Sequence, residues 1–146
     1  MTVKETTLLS IKEYMKYRSV IPVIEDSRWW LRSSGSCRVY AAYVNFGGFI
    51  NGSGLHVAND FAIRPALKFN LDVHDSLFWY KPEKLIGTKI EYGKYKWTIL
   101  NAEFGELYIL CDDCVSKHCF DPESNDWNTS ELKQWLKAEG LGLITY

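Results

Sequence analysis

No strong charge bias, no long apolar run and no familiar catalytic motif mark this sequence. Its 146 residues carry 17 Lys and Arg against 18 Asp and Glu, a net charge of −1. There is therefore no basic field that would hold duplex nucleic acid. No apolar run reaches the roughly 18 residues that a membrane-spanning helix needs. The motifs of α/β-hydrolase nucleophiles, phosphate-binding loops and HExxH zinc proteases are also missing.

Cysteine, histidine and proline are scarce, and no secretion signal is evident. The first ten residues carry charges and no apolar core segment, so they do not read as a signal peptide. The four cysteines are therefore expected to be reduced thiols inside a cell. Aromatic residues, in contrast, are abundant: 6 Trp, 9 Tyr and 7 Phe make up 15% of the chain. This content predicts either an aromatic core or stacking surfaces for a ligand.

Local patterns in the first half, residues 1–71, predict a short helix and then a glycine-rich meander. Ser10 and Glu13 form a capping box that starts the helix. Short β-prone runs separated by glycines follow over residues 29–69, as in antiparallel strands joined by tight turns. Pro65 cannot donate to a sheet, so we expect an edge or a bulge at this position.

The second half, residues 86–146, predicts three strands and a helix. Alternating apolar residues indicate the strands, and Asn128 with Glu131 resembles a second helix start. Gly140 is expected to stop that helix. Residues 72–85, between the halves, contain charges, a proline and several aromatics, which predicts a packed connector and not a free linker. The predicted fold class is therefore α+β, with both halves in one domain.

Three spaced motifs in the first half carry a family resemblance. They are Trp29-Trp30-Leu31-Arg32-Ser33-Ser34-Gly35, then Ala42-Tyr43-Val44-Asn45 with Gly48-Phe49-Ile50, then Ile63-Arg64-Pro65-Ala66-Leu67. The chain resembles a family of unknown function from gut Gram-positive bacteria and their phages, with the signature W-W-L-R-S-P-G, A-x-V-x-x-x-G-x-I and V-R-P-A-L. Ser34 and Ile63 depart from that signature. The family is similar to the C-type-lectin-like fold of formylglycine-generating enzymes and phage variable receptor-binding proteins, which the resemblance therefore implies here.

Other motifs of the same family stand in an unusual order. Residues 8–14 resemble the segment that precedes the W-W-L-R-S motif, whereas residues 86–100 and 127–136 resemble the family's opening strands and its W-L helix. Those opening parts come first in the family and second here. The resemblance therefore implies a circularly permuted unit, with its two chain ends on the same side of one domain. A monomer is expected, and a domain-swapped dimer is the alternative.

The signature residues are interpreted as structural. They are Trp29, Trp30, Arg32, Arg64 and Pro65. A guanidinium has five N–H donors, so each arginine is expected to satisfy several loop carbonyls at once. This structural role is preferred because a buried arginine is tolerated only when it is paired, and ligand binding by the arginines is the alternative.

Turns and short strands of the meander supply the candidate partner-binding residues. These are Tyr43, Phe46, Phe49, His56, Asn59 and Phe61. A rigid scaffold that presents Tyr, Asn, Ser and Gly is typical of a recognition surface. The alternative interpretation is that the aromatic side chains fold back and cover a thin sheet.

Two segments could hold a metal, although we expect none to be bound. Cys111, Cys114, His118 and Cys119 offer four soft donors within nine residues. The glycine of a zinc knuckle is missing after Cys114, and the adjacent His118 and Cys119 would have to turn back on themselves. Residues 121–126 are rich in oxygen donors for calcium, but helix capping explains them as well. No cofactor and no catalytic residue is predicted, and a thiol or zinc enzyme is the alternative class.

The sequence thus predicts a non-catalytic binding protein. The resemblance implies a phage or prophage accessory protein that presents a loop-rich surface to a protein or a glycan. The alternative is an intracellular phage counter-defence protein that inhibits a bacterial immune protein, such as a CRISPR effector, or sequesters an immune nucleotide signal. The expected location is the cytoplasm of the bacterial host, or the virion.

Overall fold

A computed structural model of the chain describes residues 2–71, 82–103, 105–140 and 142. Within this part of the chain, the backbone forms ten strands and two short α-helices. The strands are β1 (Thr2–Thr7), β2 (Trp29–Ser34), β3 (Tyr40–Val44), β4 (Ile50–His56), β5 (Phe61–Ile63), β6 (Ala66–Asn70), β7 (Lys89–Tyr92), β8 (Tyr95–Glu103), β9 (Glu106–Cys111) and β10 (Ser116–His118). The helices are α1 (Ile11–Tyr17) and α2 (Glu131–Trp135), and a π-helical turn, Leu136–Gly140, continues α2.

The described strands make two five-stranded sheets. The first sheet has the order β1-β6-β9-β8-β7 and the second the order β10-β5-β2-β3-β4. Neighbouring strands are antiparallel, except that β2 and β5 run parallel over a short contact. Because β6 comes from the first half of the sequence and β9 from the second, their ladder joins the two halves within one sheet.

Besides the passage from β1 through α1 to β2, the chain crosses from one sheet to the other at two neighbouring places. Arg64 and Pro65 form the first crossing, between β5 and β6, and residues 112–115 form the second, between β9 and β10. The Cys111 amide donates to the Pro65 carbonyl at 2.9 Å. A second backbone bond, from Val115 to Ile63, also measures 2.9 Å. The two crossings therefore run side by side and pair with each other.

The side chain of Arg64 ties these crossings to the rest of the core. It is only 1% exposed, and its Nε donates to the Cys111 carbonyl at 2.7 Å. Its Nη2 donates to the Pro22 carbonyl at 2.9 Å and reaches the Asp112 carbonyl at 3.5 Å. The guanidinium carbon also lies 5.0 Å from the centre of the Trp29 ring. One buried cation thus serves three backbone carbonyls and one aromatic face.

A central hydrophobic cluster takes residues from both sheets and from α1. Trp29 and Leu31 enter it from the second sheet, Leu100 and Leu110 from the first, and Tyr14 from α1. These side chains are at most 2% exposed. Both sheets bury apolar surface in this cluster, and this burial stabilises their packing against each other.

Local sequence signals are confirmed where a short segment decides the structure. Ser10 Oγ accepts from the Glu13 amide at 3.1 Å, and the Ser10 amide donates to the Glu13 carboxylate at 2.9 Å, which completes the predicted capping box. Three strands of the second half, β7, β8 and β9, lie where alternation placed them. The mostly-strand fold with two helices and antiparallel sheets agrees with the predicted α+β class at this coarse level.

Several boundaries differ from the prediction. The apolar run over residues 61–69 breaks at Arg64 and Pro65, because the chain changes sheets there. Ser130 caps α2 by accepting from the Lys133 amide at 3.1 Å, so Asn128 is not the helix start. The three-residue strand β10 was not anticipated. Residues 72–81 of the predicted connector, and Leu141 and residues 143–146 of the tail, lie outside the described part.

Removal of the Arg64 side chain should destabilise the fold. Arg64→Met leaves two well-bonded buried carbonyls without a donor, and each such loss costs about 1–3 kcal/mol, so we expect a loss near 3 kcal/mol. Urea unfolding followed by Trp fluorescence measures it. Arg38→Met, at an exposed position, is the control and should change stability by less than about 0.5 kcal/mol. Equal stability of the two variants would contradict the bridging role of Arg64.

Candidate functional site

The six predicted partner-binding residues divide by exposure. Phe46 and Phe49 are unusually open for phenylalanine, at 49% and 67% exposed. His56 and Asn59 are also exposed, and Phe61 is half-buried. Five of the six predicted residues therefore reach solvent to some degree.

Tyr43 is the sixth residue, and the structure places it in the core. It is 3% exposed, and its ring packs edge-on against Trp30 and Phe61. Its hydroxyl accepts a hydrogen bond from Asn51 Nδ2 at 3.0 Å. Residues 41–44 of β3 are all buried, because this strand is covered on both faces. Tyr43 therefore supports the surface from below and is not part of it.

A single rigid turn presents Phe46 and Phe49. Gly48 in this turn has φ +85°, in the left-handed region that glycine adopts without strain. Its carbonyl accepts from the Tyr14 hydroxyl at 2.7 Å and from Arg18 Nη2 at 3.2 Å. Two side chains of the α1 region thus hold the turn from below, while its phenylalanines face outward.

Val23 extends this apolar surface. Its side chain is 54% exposed, and its Cγ1 lies 3.2 Å from the position that a Cβ at Gly48 would take. Val23, Phe46 and Phe49 together are called the apolar face below. Soluble proteins seldom leave such large apolar groups grouped in solvent without a binding role.

A cleft of about 270 Å³ adjoins Phe46. Its lining comprises Asp26, Ser27, Arg28, Phe46, Asp60, Phe61, Ala62 and Lys117. The Arg28 guanidinium lies 4.8 Å from the centre of the Phe46 ring and 6.0 Å from that of Phe61, and its Nε donates to Asn45 Oδ1 at 3.1 Å. This arginine is thereby held over two aromatic rings, an attractive cation–π arrangement. We call the cavity the Arg28 cleft.

His56 and Asn59 lie in a second turn, which borders the cleft through Asp60. Asn59 Nδ2 donates to the His56 carbonyl at 3.0 Å, and the Ala58 amide donates to His56 Nδ1 at 3.1 Å. One side-chain atom of each residue, His56 Nδ1 and Asn59 Nδ2, thus helps to shape the turn. Asp60, the next residue in the chain, lines the Arg28 cleft, so the turn reaches the cleft through this residue.

Arg32 joins β2 to the start of α1. Its Nη1 donates to the Leu8 carbonyl at 2.6 Å and forms an ion pair with the Glu13 carboxylate. Burial alone would raise the pKa of Glu13, but hydrogen bonds from Arg32 and the Ser10 amide outweigh it and hold that pKa below its ordinary 4.5. Arg32 is thus bonded within the protein in the way expected of a structural arginine.

The other signature residues are buried. Trp29 is 1% exposed and Trp30 is fully enclosed, with its Nε1 donating to the His118 carbonyl at 3.0 Å. Pro65 is buried at the sheet crossing beside Arg64. These placements put the W-W-L-R and R-P-A-L residues in or next to the core.

The four-residue cysteine and histidine pattern does not form one cluster among the described residues. Cys111 and Cys114 lie beside Arg64, where burial raises the pKa of Cys111 to about 12 and that of Cys114 to about 11. His118 and Cys119 lie beyond them, at the end of β10. All four cysteines are free thiols. These raised pKa values make the first pair poor nucleophiles.

The predicted calcium segment uses its oxygens for local structure. The Asp121 carboxylate accepts from the amides of Glu123, Ser124 and Glu131, each at 3.0 Å. Asp126 caps the following turn by accepting from the Asn128 amide at 3.0 Å. These bonds match the capping interpretation of residues 121–126.

Comparison with known protein families, with curated proteins and with solved structures finds no match to this chain. Among the described residues, no helix has the length and apolarity to cross a membrane.

Sequence reasoning missed Val23, Arg28, Asp60 and Lys117. These residues come from three separate segments, residues 21–28, the turn before β5 and β10, which only the tertiary fold brings together. One local signal was available, because an apolar Val23 stands between Pro22 and the acidic Glu25 in a segment with no predicted element. The charged members of the cleft offer no comparable signal.

Substitutions on the apolar face should leave stability almost unchanged. Phe49→Ser removes a side chain that is 67% exposed, so the free energy of unfolding should change by less than about 0.5 kcal/mol. Trp30→Ala, at a fully buried ring, should cost about 3–5 kcal/mol. Thermal and urea unfolding of both variants make the comparison. A loss above 2 kcal/mol in Phe49→Ser would mark the apolar face as part of the core, since about 2 kcal/mol is the lower end for buried truncations.

Glu13 should support stability in a pH-dependent way. Its folded-state pKa lies below the ordinary value, so its contribution is present above the unfolded-state pKa and is lost as pH falls through the folded-state value. Glu13→Gln should therefore be less stable than the wild type at pH 7. The difference should narrow below about pH 4.5. Urea unfolding across pH tests this, and a constant difference at all pH values would contradict it.

Proposed function

We propose that this chain is a non-catalytic binding protein whose recognition surface is the apolar face and the adjoining Arg28 cleft, and that its partner is a protein. The observation that carries the proposal is the exposure of Phe46 and Phe49 on a turn held rigid from below. Both rings are too exposed for a major role in the core. Their burial against a partner would be strongly favourable.

The rigidity of the turn lowers the cost of binding. A flexible loop must lose conformational entropy when it is ordered at an interface, whereas a preorganised loop has already lost it. Gly48 is bonded to both Tyr14 and Arg18, so the phenylalanines need little rearrangement. Aromatic residues and arginine are also the side chains that contribute most at protein interfaces.

The charges of the cleft favour a protein partner over a neutral glycan. Arg28 and Lys117 face the same cavity as Asp26 and Asp60, so cations and anions are interspersed beside the apolar face. A protein interface combines an apolar centre with charged side chains of both signs at its rim. A neutral glycan offers hydroxyl groups, which have no charge to complement these residues.

On the motif resemblance, we also propose a lectin-like fold with its parts in permuted order, and a phage or prophage origin. Two observations support them. The signature residues Trp29, Trp30 and Arg64 are buried, as conserved structural motifs would require. Residues of β1 and of the α2 region, among them Lys4 and Lys137, line one shared cavity, so the first strand and the last described helical turn are neighbours. Neighbouring ends make a permuted order tolerable.

The accessory-protein and counter-defence hypotheses use the same surface and differ in the partner. A receptor or structural protein would fit the first, and a bacterial immune protein in the host cytoplasm would fit the second. Identification of the partner therefore distinguishes them. A domain-swapped dimer is the alternative to a monomer.

Site-specific photocrosslinking tests the proposal. A photoreactive benzoylphenylalanine replaces Phe49 in one variant and, in the control, Ile86, which is 39% exposed and precedes β7 of the other sheet. Each variant is illuminated in extracts of gut Gram-positive bacteria, and adducts are identified by mass spectrometry. We expect a discrete protein adduct from position 49 and none from position 86.

Competition makes the result specific. Excess wild-type protein should abolish the adduct, whereas excess Phe46→Ser/Phe49→Ser protein should not. No discrete adduct, or equal adducts from both positions, would overturn the proposed protein-binding surface. Adducts with polysaccharide alone would assign the surface to a glycan, contrary to the choice made here.

A further inference from the structure

Three donor side chains converge where β10 meets α2. His118 ends β10, Cys119 follows it, and Glu131 is the first residue of α2. Their candidate ligand atoms all lie within 4.8 Å of one another. An imidazole, a thiol and a carboxylate are three of the side-chain groups that bind zinc.

The histidine is held in the tautomer that a metal requires. His118 Nδ1 lies 2.7 Å from the Cys119 carbonyl oxygen, which can only accept, so Nδ1 carries the hydrogen. In the neutral ring, Nε2 is then left with a free lone pair. This backbone bond is the kind of support that orients metal-binding histidines in proteins.

The free Nε2 faces a second electron-pair donor across a gap. It lies 3.8 Å from Glu131 Oε1, which is too long for a direct hydrogen bond. In a tetrahedral zinc site, bonds of about 2.0–2.2 Å place two such ligand atoms about 3.3–3.5 Å apart. The Glu131 side chain is 52% exposed, so a small rotation of it brings the two atoms from 3.8 Å to the separation found in a zinc site.

Packing and backbone bonds fix the frame of this cluster. The His118 ring stacks against Trp135 of α2, with centroids 5.2 Å apart. The Glu131 amide donates to Asp121 Oδ1 at 3.0 Å, and the Leu132 amide donates to the Phe120 carbonyl at 3.1 Å. The segment that follows β10 and the first turn of α2 are thus bonded together beside the donor atoms, which helps to preorganise the site.

The surroundings favour a cation. The carboxylates of Glu131, Asp60 and Asp121 lie close enough to Cys119 to act on its thiol. Three negative groups therefore act on one partly enclosed thiol. The nearby Lys133 ammonium is directed elsewhere, 3.3 Å from Asn128 Oδ1. A divalent ion would offset this negative field and stabilise the thiolate.

We propose that His118 Nε2, Cys119 Sγ and Glu131 form a three-ligand zinc site. The mixed sulfur, nitrogen and oxygen donors suit zinc better than calcium or magnesium, which prefer all-oxygen sites. The fourth position is left for water or for a donor from a partner. This site differs from the four-residue pattern in the sequence, because Cys111 and Cys114 are replaced by a carboxylate from α2.

Cobalt substitution and thermal unfolding test the site. The chelator-treated protein is titrated with Co²⁺, and then with Zn²⁺ in competition. We expect one equivalent of Co²⁺ to produce a thiolate charge-transfer band and the visible bands of four-coordinate cobalt, and Zn²⁺ to abolish both. Zn²⁺ should also raise the melting temperature, since it binds only the folded arrangement.

Matched variants assign the ligands. Cys119→Ala should lose the charge-transfer band and the zinc-dependent rise in melting temperature, whereas Cys37→Ser, at an exposed thiol, should keep both. His118→Gln and Glu131→Gln should weaken zinc binding by about 100-fold or more, beyond the 10–100-fold typical for loss of a supporting partner. Circular dichroism confirms that each variant is folded, and the two Gln variants serve if Cys119→Ala is not.

Three results would overturn the proposal. The first is the absence of cobalt bands in the wild type. The second is an undiminished charge-transfer band in folded Cys119→Ala. The third is loss of the band in Cys114→Ala alone, which would assign the thiolate to the other cysteine pair. None of these outcomes depends on the proposed partner-binding surface, so the two proposals fail separately.

Discussion

The buried guanidinium of Arg64 is the interaction on which the rest of the structure depends. Each sheet contains strands that arrive by crossing from the other, and both crossings are bonded to each other around this side chain. Its third carbonyl partner, Pro22, belongs to the segment that leads into Val23. A charge this deeply buried is tolerated because its Nε and Nη2 atoms donate to backbone carbonyls and its face lies on the Trp29 ring. The two sheets therefore share one anchor at the point where the chain changes direction.

The position of the Arg28 cleft depends on the crossings that Arg64 holds together. Residues 112–115 deliver β10 to β5, and this pairing sets Lys117 opposite Ala62 and His118 opposite Phe61. Lys117, Ala62 and Phe61 then line the Arg28 cleft. The cleft thus exists because the second crossing lays a three-residue strand along an otherwise open sheet edge. Such short pairing has little stability of its own and relies on the bonds at the crossing.

Sequence reasoning succeeded where neighbours in the chain decide the outcome. The capping box needs only Ser10 and Glu13, which are three residues apart, and alternation in β8 and β9 is a local property. Sequence reasoning failed where the residues that contact each other are far apart in the sequence. Tyr43 was assigned to the recognition surface because it lies on a short strand of the glycine-rich meander, yet that strand is buried. Likewise, Pro65 signalled an interrupted strand, but no local pattern states that the chain enters another sheet.

The same contrast applies to the two candidate sites. Phe46 and Phe49 could be found from the sequence, because aromatic residues on the turns of a glycine-rich scaffold are typical of a recognition surface. Glu131 could not be joined to His118, because twelve intervening residues and the Ser130 cap decide where α2 begins. The strand β10 connects both sites, since successive residues of a strand point to opposite faces. Lys117 lines the cleft, and His118 packs on Trp135 of α2. An ion bound at His118 would stiffen β10, and thereby the wall of the cleft that Lys117 forms.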